Sequence, residues 1–179
     1  MPRPNQAFWT LSALWAGWLW GKDEVEPYKI ALRRRRYDWA WNATALFAIF
    51  NHLNDLLPDG VPMFGILPEP EPAFLTSAMT AAFSAGFDLQ SIALRTGHDP
   101  VQVVWQSAKK PNAEKIKQDA IKSSLQKFLS GRGEPASYFH VHLAGLIALV
   151  ENKCLKQDAD EFDDALRKTQ TLFETILKE

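Results

Sequence analysis

The chain has 179 residues, of which 46% are hydrophobic and 23% are charged, so it is long enough for one well-formed core and a small second module. Its net charge of −1 argues against a uniformly basic nucleic-acid binder. The single cysteine, Cys154, excludes a disulfide framework and a thiolate-rich zinc site. We therefore expect a reducing, cytoplasmic setting, with Cys154 as a small, partly buried apolar residue.

The beginning of the chain predicts neither export nor membrane insertion. The first six residues, MPRPNQ, are polar, and no small-residue cleavage site follows the next apolar stretch. No segment reaches the roughly 18 uninterrupted apolar residues that a membrane-spanning helix needs. One alternative is a helix lying at the membrane surface, with Trp9, Trp15, Trp18 and Trp20 at the headgroup boundary.

The stretch from Phe8 to Trp41 holds six of the seven tryptophans. Residues Thr10 to Gly21 predict a helix with apolar side chains at the spacing of one helix face, namely Leu11, Leu14, Trp15, Trp18 and Leu19. Trp9 and Trp20 fall toward other faces. Because this helix is apolar on more than one side, we expect it to lie deep in a core or against a partner.

The same stretch contains four consecutive arginines, Arg33, Arg34, Arg35 and Arg36. On a helix they would fan around the axis, so only some would reach one ligand. Their neighbours Tyr37, Trp39 and Trp41 offer stacking surfaces beside phosphate-pairing groups, which is typical of nucleic-acid grooves. A solvated loop and a subunit contact remain the alternatives.

A second helix is predicted from Asp38 to Leu57, ending at Pro58-Asp59-Gly60. Its expected buried stripe consists of Trp41, Ala45, Ala48, Ile49, His52, Leu53 and Leu56. His52 at the edge of this stripe is interpreted as a structural residue, because no second histidine stands nearby at metal-binding spacing.

The middle of the chain predicts part of an α/β sheet. Val61–Leu67 is expected to be a buried strand, and a proline-rich loop leads into a helix from Ala73 to Ala85 with Phe74, Ala78, Ala81 and Ala82 facing inward and Gly86 as its stop. The strands Phe87–Arg95 and Val101–Gln106 flank a turn and should pair as an antiparallel hairpin.

A change in composition around residues 107–111 divides the chain into a sheet domain, 1–108, and a helical module, 109–179. The module predicts helices at 112–130, at Ser137–Asn152 and from Asp158 to the end. Between Lys109 and Arg132 there are seven basic residues against two acidic ones. We therefore interpret the basic side chains near its start as candidate nucleic-acid contacts: Lys109, Lys110, Lys115, Lys117 and Lys122.

Few residues have the arrangement of a catalytic or metal site. Glu69 and Glu71 follow a strand, where open α/β sheets bind ligands, but a rigid polar loop explains them better. The pair His98-Asp99 is better explained as turn chemistry. His140 and His142 lie two residues apart and would point away from each other on a helix. No P-loop, dinucleotide fingerprint or paired CxxC motif is present.

The residues from Pro2 to Trp15, PRPNQAFWTLSALW, resemble the segment that follows the Asp-Pro-Pro-Tyr motif in amino-group DNA methylases, where a helix rich in Leu and Trp comes directly after the motif. The strand with its acid-and-proline loop, the helix ending at Gly86 and the closing hairpin are also similar to the second half of that fold. The tail after Pro111 is similar to the helical or winged-helix appendage of such enzymes.

This resemblance implies an incomplete Rossmann-like methyltransferase half-domain with a few-stranded mixed sheet, followed by a helical or winged-helix module. The Gly-rich loop for S-adenosylmethionine and the Asp-Pro-Pro-Tyr motif are missing from the sequence. No catalytic, cofactor-binding or metal residue is therefore assigned, and the donor would bind only with a complementary half. The expected partners are DNA and either a second copy or a separately encoded methylase half. The alternative is a protein-interaction module unrelated to methylation.

Overall fold

The computed structural model describes residues 6–26, 39–68, 71–95, 99–108, 118–155 and 161–177, with side chains from Thr10 onward. The chain forms two compact units, Met1–Asp38 and Trp39–Glu179. Within the described residues no helix is long and apolar enough to cross a membrane.

The described residues of the first unit form one α-helix and one 3₁₀ turn. Helix α1 spans Gln6–Trp20, so it begins four residues before the predicted start, and a 3₁₀ helix follows at Lys22–Val25. Gly21 joins them with a φ of +101°, a left-handed conformation that favours glycine. A Cβ on Gly17 would lie 2.8 Å from Cγ2 of Val25, so the 3₁₀ turn packs closely against the small-residue side of α1.

The second unit contains three strands and five α-helices in its described residues. In chain order these are α2 (Trp39–Leu56), β1 (Pro62–Leu67), α3 (Pro72–Ser84), β2 (Phe87–Ala93), β3 (Val101–Ser107), α4 (Gln118–Arg132), α5 (Tyr138–Glu151) and α6 (Phe162–Ile176). The predicted mixed α/β class is confirmed. The Rossmann-like and winged-helix assignments stay predictions, and the described residues of the C-terminal part contain helices alone.

The sheet has the strand order β1-β3-β2, and β3 pairs antiparallel with both neighbours. The predicted β2–β3 hairpin is therefore confirmed. The expectation of a mixed sheet is wrong for the described strands: β1 and β2 run parallel to each other, but β3 lies between them and takes the hydrogen bonds of both. A register shift between Leu89 and Ser91 marks a bulge in β2.

One face of the sheet carries the core against α2. The indole of Trp105 is 1% exposed and lies 5.5 Å from the ring of Phe50, which in turn lies 5.7 Å from the ring of Phe87. Gly65 makes room for this indole, since a Cβ at position 65 would overlap the six-membered ring of Trp105. Three aromatic side chains thus join the sheet to α2.

Helix α3 is the centre of the second unit, and every residue from Phe74 to Phe83 is buried. The predicted inward residues Phe74, Ala78, Ala81 and Ala82 are therefore confirmed as buried. The helix has Pro72 at its first turn, where no intrahelical N–H bond is lost. Neighbours cover it on several sides, namely α2, β2, α5 and α6.

The buried stripe predicted for α2 is wrong, because the helix is rotated about its axis so that a different side faces the core. The buried residues are Asn42, Ala43, Leu46 and Phe50, whereas Ile49, His52 and Leu56 are exposed. The physical reason is a polar contact in the core: Ser77 Oγ lies 2.7 Å from Asn42 Oδ1, and both side chains are buried. This hydrogen bond, together with the contacts of Phe50, fixes which side of α2 faces inward.

The C-terminal helices pack on the same core as the sheet. Phe162 of α6 is buried with its ring 5.6 Å from that of Phe47 in α2. Lys153, two residues after the end of α5, has a φ of +56°. A domain boundary at residue 108 stays a prediction, while residues 39–179 form one unit by their contacts.

Candidate interaction surfaces

Most of the predicted nucleic-acid contacts lie outside the described residues. This holds for Arg33, Arg34, Arg35 and Arg36 and for Lys109, Lys110, Lys115 and Lys117. The ninth candidate, Lys122, is half-buried in the second turn of α4 and has an interaction partner. The basic surface therefore stays a prediction.

Of the two glutamates considered for acid–base work, only Glu71 lies among the described residues. Glu71 is half-buried at the N-cap of α3, and its carboxylate does not cap the helix, although its backbone carbonyl accepts a hydrogen bond from Leu75 N at 2.9 Å. Glu69 and His98 lie outside the described residues, while Asp99 is half-buried.

No metal centre is formed by the part of the chain that the structure describes, because it contains no group of three or more His, Cys, Asp or Glu placed around one point. His52 is exposed on α2, and His140 contacts Ser137, with 2.7 Å between Nδ1 and Oγ. Cys154 is buried, as predicted.

His142 is the one strongly perturbed titratable side chain of the described core. Its Nε2 lies 2.9 Å from Thr76 Oγ1, and that hydroxyl donates to the carbonyl of Pro72 at 2.9 Å. A hydroxyl has one proton, so this geometry makes Nε2–H the donor to Thr76 and leaves Nδ1 as an acceptor. Nδ1 is buried without a hydrogen-bond partner.

The surroundings of His142 are apolar. Its ring is 4.9 Å from that of Phe173 in an edge-on arrangement and 5.7 Å from that of Tyr138. Burial lowers the pKa of His142 from its usual 6.5 to about 4, opposed by a hydrogen bond with the backbone of Pro72. No local pattern of residues indicated the environment of His142, because its partner Thr76 lies 66 residues away in the chain.

The outer side of α1 is an exposed apolar surface. Its members are Leu11, Leu14, Trp15, Trp18 and Leu19, and Trp18 is 82% exposed. The rings of Trp15 and Trp18 lie 5.8 Å apart. Contiguous apolar patches of this kind mark interaction surfaces in proteins. The helix carries no charged residue that would keep it in water.

Strand β1 forms a second exposed surface, at one edge of the sheet. The prediction of a fully buried strand is wrong: Phe64 is 78% exposed and Ile66 is also exposed, while Leu67 is buried. The outer face of the sheet continues through Val104, which is opposite Phe64, and Gln102, which is opposite Ile66. The apolar run of β1 had suggested burial on both faces, but the described helices cover only one.

A cavity of about 530 Å³ lies between β2 and the end of α5. Its lining combines apolar and charged side chains: Asp88, Leu89, Gln90, Ser91, Ile92, Ile147, Val150, Glu151 and Lys153. Its volume is within the range of small-molecule pockets. The carboxylates and the ammonium in it belong to exposed residues, and the lining contains neither histidine nor cysteine.

The exposed large apolar side chains of the described residues are concentrated toward the start of the chain. Ten of thirteen precede residue 70, and the remaining three are Leu129, Tyr138 and Leu177. Helix α1 and strand β1 are therefore the candidate interaction surfaces of the described residues. Comparisons with family models, with curated proteins and with solved structures found no match to this chain.

Proposed function

We propose that this chain is the closing part of a methylase-like α/β protein and is inactive alone. In this proposal a separately encoded half supplies the S-adenosylmethionine site and the catalytic motif, and it adds a strand beside β1, an outer strand of the described sheet. The chain itself contributes binding to that half and to nucleic acid. The observation that carries the proposal is β1 at the edge of a three-stranded sheet with Phe64 and Ile66 exposed.

The strand arrangement supports a role at the end of a larger sheet. Strands β1 and β2 run parallel, α3 connects them, and β3 returns antiparallel between them. This agrees with the strand, helix and closing hairpin that the resemblance to amino-group methylases implies. A larger sheet would extend from one of the two outer strands, β1 or β2, because β3 is already paired on both sides.

The exposed side chains of β1 support strand addition. Edge strands offer backbone groups to another strand, and proteins commonly protect such edges with charged side chains, prolines or bulges. In β1 the single residue of these protecting kinds is Pro62 at the first position, and the other five residues are apolar or glycine. In β2, by contrast, a bulge and Asp88 interrupt the other edge of the sheet. Of the two outer strands of the described sheet, β1 is thus the one beside which the proposed half would bind.

Nucleic-acid binding is the second part of the proposal. It rests on Arg33 to Arg36 beside Trp39 and Trp41 and on the lysines from Lys109 to Lys122. Phosphate contacts of this kind are sensitive to salt. Fluorescence anisotropy with a labelled single-stranded and a labelled double-stranded oligonucleotide tests it, and Arg33→Ala to Arg36→Ala together should weaken binding and reduce its salt dependence.

A second candidate function is a protein-interaction module unrelated to methylation, which the exposed apolar face of α1 favours. In that case the four-arginine variant should leave oligonucleotide binding unchanged and weaken association with a protein partner. The two functions therefore give opposite results in the same anisotropy experiment.

Co-expression tests the proposed half directly. The chain is produced with the polypeptide encoded immediately upstream of it, and the two are co-purified. We expect Phe64→Lys to reduce co-purification, because the new charge would be buried in the contact between β1 and the added strand. Leu56→Lys is the matched control, since Leu56 is similarly exposed but lies on α2. Equal retention of the two variants would contradict strand addition at β1.

Calorimetry with S-adenosylmethionine tests the inactivity of the isolated chain. We expect no saturable heat, because the sequence contains no Gly-rich donor loop. Saturable binding by this chain alone would overturn the proposal that the donor site is supplied by another polypeptide.

A further inference from the structure

The exposed side of α1 is built from a segment that is nearly the same in both directions. Residues 14–19 have the sequence LWAGWL, in which Leu14 and Trp15 are mirrored by Leu19 and Trp18. At about 100° per residue these four side chains share one side of the helix. All four are exposed. We infer that this side, which we name the LWWL face, pairs with the LWWL face of a second copy in antiparallel orientation.

Two-fold symmetry explains why a palindromic face pairs with itself. In an isologous dimer, residue i contacts residue j of the other copy and residue j contacts residue i. With the axis passing between positions 16 and 17, Leu14 is level with Leu19 of the second copy, and Trp15 is level with Trp18 of the second copy. Each leucine therefore meets a leucine, and each indole meets an indole.

The exposed area matches what a specific interface requires. The LWWL face together with Leu11 exposes on the order of 500 Å² of side-chain surface, from the fractional exposures of these residues. Two copies would therefore bury about 1,000 Å², which reaches the lower limit for specific protein–protein interfaces. The centres of such interfaces are depleted of charge and enriched in tryptophan, as this face is.

The composition of α1 favours a second copy over a lipid surface. Helices that lie on membranes carry Lys and Arg on the side opposite their apolar face. The opposite side of α1 has no charge: Ala13 and Ala16 are buried there, and Gly17 is in contact with Val25. This pairing goes beyond the proposed function and uses residues of α1 alone, so it can fail while strand addition at β1 stands, and the reverse.

Sedimentation equilibrium of the full chain tests the pairing. We expect a dimer with a dissociation constant in the micromolar range, and we expect Trp18→Glu to raise that constant about tenfold or more. Trp20→Glu is the matched control, since Trp20 is 69% exposed but lies on the other side of α1. A wild-type chain that remains monomeric at about 100 µM, or equal dissociation by the two variants, would overturn the inference.

Disulfide cross-linking tests the orientation. The double variant Leu14→Cys/Leu19→Cys should form covalent dimers on oxidation, because positions 14 and 19 of opposite copies are level. Leu14→Cys alone should not, since its two copies would be about 7.5 Å apart along the axis. The native Cys154 is buried and does not compete. Efficient cross-linking of Leu14→Cys alone indicates a parallel pair and refutes the antiparallel arrangement.

Vesicle flotation separates the dimer from a membrane contact. With phosphatidylcholine vesicles we expect the wild-type chain to remain unbound. Binding that is abolished by Trp18→Glu would assign the LWWL face to lipid and would overturn the inference.

Discussion

The buried imidazole of His142 should make the stability of the protein depend on pH in a defined window. The folded state lowers the pKa of His142 from 6.5 to about 4. Between these values the unfolded chain binds more protons at this site than the folded chain does, so stability rises with pH. The contribution is complete above pH 6.5 and lost below about pH 4. A pKa difference of this size corresponds to ~3 kcal/mol of unfolding free energy.

Chemical unfolding measured by circular dichroism between pH 3.5 and 8 tests this expectation, with His142→Gln as the perturbed protein. Many carboxylates also titrate in this range, so the informative quantity is the difference in unfolding free energy between wild type and variant. We expect that difference to change by ~3 kcal/mol from pH 7.5 to pH 4, since glutamine has no proton to gain. His52→Gln is the control, because His52 is exposed on α2.

Parallel curves for wild type and His142→Gln across the window would refute the reasoning, as would an equal change in His52→Gln. Tyr138, which lies beside His142, does not interfere, because burial and then the charge of Glu174 raise its pKa above 10. A second variant, Thr76→Val, should cost about 1–3 kcal/mol at pH 7.5, because it leaves the Nε2–H of His142 without its acceptor.

Three backbone positions give further predictions, each measured as a change in the free energy of unfolding by urea. Gly65→Ala should destabilise the protein by about 1–3 kcal/mol, because the new methyl group overlaps the indole of Trp105. Gly131→Ala, its control, should stabilise by about 0.5 kcal/mol, since Gly131 is helical and no atom is near its missing Cβ. Lys153→Gly should stabilise by about 0.5 kcal/mol, because Lys153 has a φ of +56° at the end of α5. Loss of stability in Gly131→Ala or Lys153→Gly, or none in Gly65→Ala, would contradict these assignments.

The order of strands and helices was predictable from the sequence, because local signals such as glycines and turns mark the boundaries of these elements. Gly86 has a φ of +89°, and a Cβ there would lie 2.9 Å from the carbonyl oxygen of Ala108, so only glycine fits between α3 and β2. The two runs on either side of the turn at Asp99 pair as predicted. The inward-facing residues of α3 were also predictable, because its small and aromatic side chains restrict which side of the helix can pack in the core.

The orientation of α2 was not predictable from its periodicity. This helix has apolar residues on two sides, with Leu46 and Phe50 on one and Ile49 and Leu56 on the other. A helical pattern alone gives both sides similar weight. The choice depends on contacts that form only after folding, namely the contact of Phe50 with Trp105 and the hydrogen bond of Asn42.

The same physical reason connects the wrong predictions for α2 and β1. Both segments have more apolar surface than the described second unit can cover, so residues such as Ile49 and Phe64 remain exposed after the core is full. The hydrophobic pattern predicts that all of this surface is buried in one core. Hydrophobicity alone does not indicate whether the covering residues belong to the same chain or to another molecule. In the C-terminal part, the ring of Phe173 lies against His142 and a Cβ on Gly145 would be 2.5 Å from it, so packing there is tight. Within the described second unit, uncovered apolar surface is therefore found on α2 and β1, whereas the contact of α5 with α6 is closely packed.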